Sequence, residues 1–502
     1  MKTAKPLAVF VVAALTAFSA SAQIQQAWVA RYNNGITNGT NQAVKMALDS
    51  SGSIYVTGFS QNTNTNLGYV TIKYAPNGNQ LWAARYDSTD YPTAKAASMV
   101  IDVSNNIIVT GSALTVKYDP NGEQLWTAPY NGTALTVDSN ANVYVAGLSQ
   151  NFGTVKLSSR GSNVWLTTYT EPYGPTVSQA VLVDNGDNVY VCGLDTYYYV
   201  PPGGSGNGPY VTLTTIKYGS NGNQIWKSSQ APTPQNSNVQ VEGAALDNST
   251  NLCLVALFSP LDSIFMYKYA NNGNFIWSAN PDPYVGPNAA HGLTVDNVGN
   301  VVVTGQFSYL GPNLSYGTAA YGTYKANSSG LFMWTNFYPI GPVPPSAALG
   351  IALDAADNSY VTGYSPGSNS ANDIVTIKYD PNGNQIWLQR YNGPGNGNDA
   401  GNAIAVDNNG NVYVAGYDTT TAGGTEMVLI KYSPVTLQRK ADGTVLLETQ
   451  GSPGESFDIE ASVDLLNWLD LGTVLADTNG LMQFDDTNAP NFPSRFYYTN
   501  PR

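Results

Sequence analysis

Seven twelve-residue segments of this chain align without a gap. They are TIKYAPNGNQLW ending at Trp82, TVKYDPNGEQLW at Trp126, TVKLSSRGSNVW at Trp165, TIKYGSNGNQIW at Trp226, MYKYANNGNFIW at Trp277, TYKANSSGLFMW at Trp334 and TIKYDPNGNQIW at Trp387. Each reads as a hairpin: a strand, a Gly-containing turn that is mostly Pro-Asn-Gly or Asn-Gly, and a second strand that opens on Trp. A second hairpin precedes each of them, in the form of ALDSSGSIYVTG before the first and AVDNNGNVYVAG, Ala405 to Gly416, at the end of the series. Two hairpins make four strands, a to d, and the unit recurs every 39 to 61 residues by Trp spacing. Internal repetition on this scale constrains the fold more than any other sequence property.

Four strands per repeat predict an all-β chain folded as a closed β-propeller of four-stranded blades. Eight blades are expected, or seven if the short unit around Thr136 to Trp165 is distorted. The eighth unit reaches LIKYSP at Leu429 to Pro434 but lacks a Trp strand, while Trp28 heads a lone one near the N-terminus. Trp28 to Tyr32 is therefore expected to complete the last blade and leave no free sheet edge.

Residues 1–22 read as a secretory signal: Lys2 and Lys5, an apolar run from Pro6 to Phe18, then small residues up to Ala22. Residues 23–434 are assigned to the propeller. Residues 435–502 lose the period, and alternating stretches such as Phe457-Asp458-Ile459-Glu460 predict a small C-terminal β-sandwich-like domain with Trp468 in its core. The expected location is extracellular or at the cell surface, with the periplasm as the alternative. No apolar stretch is long enough for a membrane-spanning helix.

The formal charge is −13, and only 11% of residues are charged. Such an acidic surface repels phosphate, so nucleic acid is not an expected partner. The two cysteines, Cys192 and Cys253, fall on the same face of strand b in adjacent units, so their side chains point toward different neighbours. Two buried thiols, and no disulfide, are expected.

These pieces resemble the bacterial β-propeller repeat family often named for seven-bladed propellers, with its Asp-x-x-Gly-Asn-x-Tyr-Val-x-Gly and Lys-Tyr-x-x-x-Gly-x-x-x-Trp elements. The likeness spans about Trp28 to Tyr432. Ile459-Glu460-Ala461-Ser462 and Asn467-Trp468 also look like a C-terminal module carried by many exported proteins of environmental bacteria. The resemblance implies an extracellular scaffold and no particular reaction.

Three periodic residue sets are candidates for chemistry. Trp28, Trp82, Trp126, Trp165, Trp226, Trp277, Trp334 and Trp387 are similar in placement to those of the eight-bladed quinoprotein dehydrogenases, but a side chain repeated in every unit is expected to fill the same gap between blades. Lys73, Lys117, Lys156, Lys217, Lys268, Lys325, Lys378 and Lys431 are expected to be exposed or ion-paired. Their candidate partners are Asp49, Asp102, Asp138, Asp184, Asp247, Asp296, Asp354 and Asp407, which open the a–b turns. Calcium at those turns is the alternative, although an EF-type ligand set is missing. His291, the single histidine, is expected just before strand a of the sixth unit as a satisfied structural residue.

The a–b and c–d turns are uniformly short, so all length variation lies in the b–c and d–a connections, on the opposite face. These connections are aromatic: Tyr197, Tyr198, Tyr199, Tyr210, Tyr284, Tyr309, Tyr316, Phe337 and Tyr338. Loops displayed by a rigid scaffold are where binding usually resides. The leading reading is a monomeric, non-enzymatic scaffold that takes no cofactor and presents this face to a carbohydrate, peptide or protein partner. The alternatives are a quinoprotein-like or lyase-type enzyme and a purely structural surface component.

Overall fold

A computed structural model describes residues 23–148, 152–170, 176–198, 209–230, 238–259, 263–281, 288–309, 318–338, 345–464 and 466–501. The repeat folds into successive antiparallel sheets in which strands a, b, c and d pair in chain order. Sheets 1 to 7 span residues 41–86, 96–128, 134–169, 177–230, 238–279, 289–338 and 347–391. The unit around Thr136 to Trp165 forms its own four-stranded sheet, sheet 3, with short inner strands Ala134–Val137 and Val143–Ala146.

Sheet 8 takes strands a to c from Ala400–Val406, Val412–Thr419 and Thr425–Arg439, and its fourth strand is Gln23–Tyr32. Trp28 stands opposite Lys431. In the other sheets the same lysine–tryptophan register recurs, as in Lys73 opposite Trp82 and Lys378 opposite Trp387. Trp28 shares one core cluster with Ile54, Val56, Val70 and Ile72 of sheet 1 and with Tyr413 and Leu429 of sheet 8.

The two tight turns of each unit differ in what they demand of the backbone. At the a–b turn the Asp carboxylate accepts the N–H groups two and four residues on, for example Ser104 at 2.8 Å and Asn106 at 2.9 Å for Asp102. This clamp holds even Thr250 at φ 59°, a conformation that a β-branched residue rarely takes. At the c–d turn the left-handed residue is Gly in each of sheets 1 to 7, and φ alone does not explain why. A Cβ there would lie 2.6–3.0 Å from the indole of the preceding sheet's Trp.

Neighbouring sheets converge at their a strands. A Cβ on Gly243 would meet Leu293 Cβ of the next sheet at 2.9 Å, and one on Gly292 would meet Ile351 Cγ2 at 2.8 Å. The outer d strands, by contrast, leave Leu81, Leu125, Val164 and Ile225 about half exposed.

Strand c of sheet 8 pairs with Gln23–Tyr32 as far as Val435, and from Thr436 it pairs with Val445–Gln450 of the C-terminal segment. There a sheet made of that strand end, Val445–Gln450 and Leu481–Asp486 faces a second sheet of Leu469–Leu475, Ser456–Ser462 and Phe496–Pro501. Leu447, Phe457, Ile459 and Met482 fill the space between them. The expectation that Trp468 fills that core is wrong: it is half-buried at the periphery, 6.0 Å from the Tyr498 ring. Its neighbours Leu466 and Leu469 are exposed too, so this stretch runs along the edge of the sandwich. Gln25 ties this segment to the N-terminal strand, donating to Thr449 Oγ1 at 2.9 Å and accepting from Thr499 Oγ1 at 2.5 Å.

Two glycine substitutions separate the backbone cost from the steric one. Gly423→Ala, at φ +88° with open space around its Cβ site, should cost about 1 kcal/mol. Gly122→Ala, at φ +89° with the Trp82 indole 2.7 Å from that site, should cost about 1–3 kcal/mol more through overpacking. Denaturant unfolding of the two variants checks the difference, and equal losses would contradict a steric role for the indole.

Candidate functional site

The periodic polar residues form a network that joins each sheet to the next. Trp82 Nε1 donates to Pro120 O at 3.0 Å, and Lys73 Nζ reaches the same carbonyl at 3.2 Å. Trp126 and Lys117 converge in the same way on Ser159 O, Trp165 and Lys156 on Ser220 O, and Trp226 and Lys217 on Asn271 O. At the seam between sheets 8 and 1, Lys431 takes Pro76 O at 3.3 Å, while Trp28 Nε1 is buried without a partner.

The lysines are not exposed. Lys117, Lys156, Lys217, Lys268, Lys325 and Lys431 are all buried, while Lys73 and Lys378 are half-buried. Ion pairs with the turn aspartates join Lys117 to Asp102 at 2.7 Å, Lys268 to Asp247 at 2.9 Å and Lys325 to Asp296 at 2.9 Å. The pairs are longer at Lys156–Asp138 and Lys217–Asp184, both 3.4 Å, and at Lys378–Asp354, 3.7 Å.

One residue of strand b accounts for the division. In sheets 3, 4 and 7 a tyrosine donates its hydroxyl to the same Asp Oδ2: Tyr144 at 2.9 Å, Tyr190 at 3.2 Å and Tyr360 at 2.9 Å. The ammonium is displaced and sits over the tyrosine ring, 4.5–5.0 Å from its centroid. In sheets 2, 5 and 6 the position holds Ile108, Cys253 and Val302, and lysine takes the carboxylate directly. Sheets 1 and 8 carry Tyr55 and Tyr413, with Lys73 and Lys431 over their rings at 5.0 and 5.4 Å. Burial lowers the Lys431 pKa to about 8 against the pull of Asp407, and Gln450 of the C-terminal segment accepts from its Nζ at 2.5 Å.

With two backbone N–H groups, an Asn amide (the Ser51 hydroxyl at Asp49) and a lysine or tyrosine on each, the turn carboxylates have their oxygens occupied. Among the described residues no group of three or more His, Cys, Asp or Glu is placed to hold a metal ion. Cys192 packs against sheet 5 and Cys253 against sheet 6; both are free thiols, and burial pushes each pKa up to about 12.

His291 differs from expectation. It lies inside strand Ala289–Val295, at a bulge between Ala290 and Gly292, and its side chain is exposed, with no protein partner in the described residues. The bulge turns outward a side chain that a regular strand would have packed. The corresponding bulges hold Gln179 in sheet 4, Glu242 in sheet 5 and Asn402 in sheet 8. Nothing in the repeat pattern marks these residues except that they differ from one unit to the next.

Of the loop aromatics, Tyr199, Tyr284 and Tyr316 lie outside the described residues. Tyr197, Tyr198, Tyr210 and Tyr309 belong to described strands, and Tyr197 stands opposite Tyr210 in the ladder, but their side chains lie outside what is described. Tyr338 is half-buried between sheets, its ring edge-on to Tyr321 at 6.4 Å and its hydroxyl accepting from Arg390 at 3.3 Å.

The strand order and the inter-sheet packing define a β-propeller. A β-propeller repeat family model matches residues 386–417 of this chain. An uncharacterised WD repeat-containing protein of Acanthamoeba polyphaga mimivirus is 24% identical over 415 residues, which are 74% of this chain and 27% of that protein. This chain therefore matches little more than a quarter of that relative's length. Similar solved structures include a quinohemoprotein alcohol dehydrogenase of Pseudomonas putida, at 10% identity and TM-score 0.47 over 82% of this chain and 76% of that one. A gluconolactonase of Xanthomonas campestris gives 12% and 0.32 over 64% and 93%. At these values neither likeness bears on activity. Among the described residues no helix is long and apolar enough to cross a membrane.

The ion pairs set an acid limit on stability. Burial opposes ionisation of Asp102, Asp138, Asp184, Asp247, Asp296 and Asp354, but their hydrogen bonds and lysines outweigh it and hold each pKa below the ordinary value. A depressed folded-state pKa contributes stability above the unfolded value of about 3.9 and loses it as pH falls through the folded one. Stability should therefore drop cooperatively below about pH 4. Asp102→Asn, which strands buried Lys117, should cost about 3–5 kcal/mol. Asp354→Asn, beside half-buried Lys378 over the Tyr360 ring, should cost about 1–2 kcal/mol. Urea unfolding at pH 7 distinguishes the two, and equal costs would contradict the tyrosine rule.

Proposed function

We propose that the chain is an exported, non-enzymatic scaffold whose eight sheets close into a ring, residues 23–434, with residues 435–502 as an attached β module. Closure is supported by the pairing of Gln23–Tyr32 with sheet 8 and by the core cluster that Trp28 shares with sheets 8 and 1. The ring presents the b–c and d–a connections to a carbohydrate, peptide or protein partner, and its Asp turns need no calcium.

The observation that carries this reading is the contrast between the two faces. The a–b and c–d turns repeat with little change, and the network between sheets occupies their polar groups. On the other face, strands b and c of sheet 4 extend to ten residues each, Val189–Tyr198 and Pro209–Tyr218, against five and four in sheet 2. Strands b and c of sheet 4 thus run further than those of sheet 2, and Tyr197 and Tyr198 lie in that extension, with Tyr199 next in the chain. Amphipathic rings on a rigid arm suit stacking on sugar rings or gripping a peptide.

A glycan array probed with the secreted protein, with and without calcium, tests this. Binding is expected in both conditions. Simultaneous Tyr197→Ala, Tyr198→Ala and Tyr199→Ala should weaken it at least about tenfold, on the scale of one to two stacking contacts, with an unchanged melting temperature. Binding indifferent to these substitutions would overturn the loop reading, and binding that vanishes on chelation would make the Asp turns ligands.

A further inference from the structure

The a strands converge on the axis of the ring, and they carry almost no ionisable side chains. Across the a strands of all eight sheets there are three: Lys45 in sheet 1, Glu242 in sheet 5 and His291 in sheet 6. In a repeat this regular, the shared residues build the frame, and positions that break the pattern are free to recognise something singular.

The three lie on one tier. Glu242 and His291 are the bulged residues of their strands, and Lys45 directly follows the bulged residue of its own, Val44. The tier falls in the half of strand a nearer the variable connections, opposite the Gly of strand b, as Ala290 opposite Gly305 shows. Two other bulge residues reveal how side chains run here. Gln179 Oε1 accepts from Val241 N at 2.9 Å, and Asn402 Nδ2 donates to Ala43 O at 2.8 Å. Each reaches along the tier to the residue just before the bulge of the next sheet, so these two amides are satisfied by the frame.

Lys45, Glu242 and His291 are not satisfied in this way: none has a hydrogen-bond or ion-pair partner in the described residues. Lys45 occupies a row that other sheets fill with Ser98, Ala180, Gly243, Gly292, Gly350 and Ala403, so its long stem is an intrusion into a row of small residues. Lys45 and His291 are exposed and Glu242 is half-exposed. Yet desolvation lowers the pKa of Lys45 and of His291 and raises that of Glu242 to about 7. Side chains of the converging a strands that water still reaches face the space those strands enclose, and the desolvation agrees with that place.

In a closed ring of eight, sheets 1 and 5 face each other across the axis. We propose that the bore at this tier binds a small zwitterion, its carboxylate on the Lys45 ammonium and its ammonium on the Glu242 carboxylate, with the His291 imidazole beside Glu242 as a neutral hydrogen-bonding partner. Both unpaired charges then gain a counter-charge from one ligand. An anion alone would leave Glu242 unpaired, and a cation would leave Lys45 so. The inference rests on the eight-sheet closure proposed above but not on the aromatic loops.

Titration calorimetry on the full secreted chain tests it, with L-alanine as the zwitterion and acetate and ethylammonium as its two halves. Saturable L-alanine binding is expected, at least tenfold tighter than either half, and at least tenfold weaker in Lys45→Met and in Glu242→Gln. Both side chains are unpartnered, so the melting temperatures of the two variants should match the parent. The Tyr197, Tyr198 and Tyr199 triple variant should bind L-alanine normally, which separates this site from the loop face. No L-alanine binding, acetate binding as tight as L-alanine, or variants with unaltered affinity would each overturn the zwitterion site. Normal glycan binding in the same preparation would show that the loop reading survives that failure.

Discussion

Everything in this fold leans on one contact: a tryptophan indole from the outer strand of one sheet laid flat on the turn glycine of the next. A four-stranded sheet alone has two faces to bury and little to bury them with. The indole supplies a large apolar area and, in sheets 1 to 6, a directed N–H that finds a carbonyl of the same turn. Because in sheets 1 to 4 that carbonyl also receives the lysine of the neighbouring strand, apolar packing and polar satisfaction are fixed together there. The glycine follows from the indole: no side chain fits between the ring and the turn.

The second layer of the design is the aspartate at each a–b turn, buried or half-buried. Its carboxylate shapes the turn through the backbone and then serves as counter-ion to the lysine. Such pairs are costly to desolvate, and here the cost is offset by four or more hydrogen bonds around each carboxylate. Exchanging tyrosine for an aliphatic residue in strand b alters how the pair is made without altering the turn. The network thus tolerates two solutions within one molecule, and the chain uses both.

The proposed function belongs to what the repeat leaves unconstrained. Trp, Lys and Asp recur, are engaged in every sheet and serve structure. The singular residues are the loop tyrosines and the three ionisable groups of the a strands. The loop tyrosines were legible in the sequence, because connections of unequal length between equal hairpins stand out. Glu242 and His291 were not, because a β-bulge leaves no mark in the pattern of apolar residues, and a one-residue insertion in a strand reads as ordinary variation. Lys45 was hidden for another reason: only alignment of the bulged registers shows that its counterparts are small.

The sequence by itself determined the all-β repeat, the four strands of each unit and the pairing of the N-terminal Trp strand with the last unit, and it named the periodic Asp residues as candidate partners of the periodic Lys, which six of the eight take up. These follow from local rules, alternation, turn chemistry and repetition, that act the same way in every copy. Only the tertiary structure decided that the lysines are buried, that Trp468 stays at the edge of the C-terminal core and that His291 stands free at a bulge. Those outcomes depend on what the neighbouring sheet or strand places against a residue, which no periodicity within a single unit encodes.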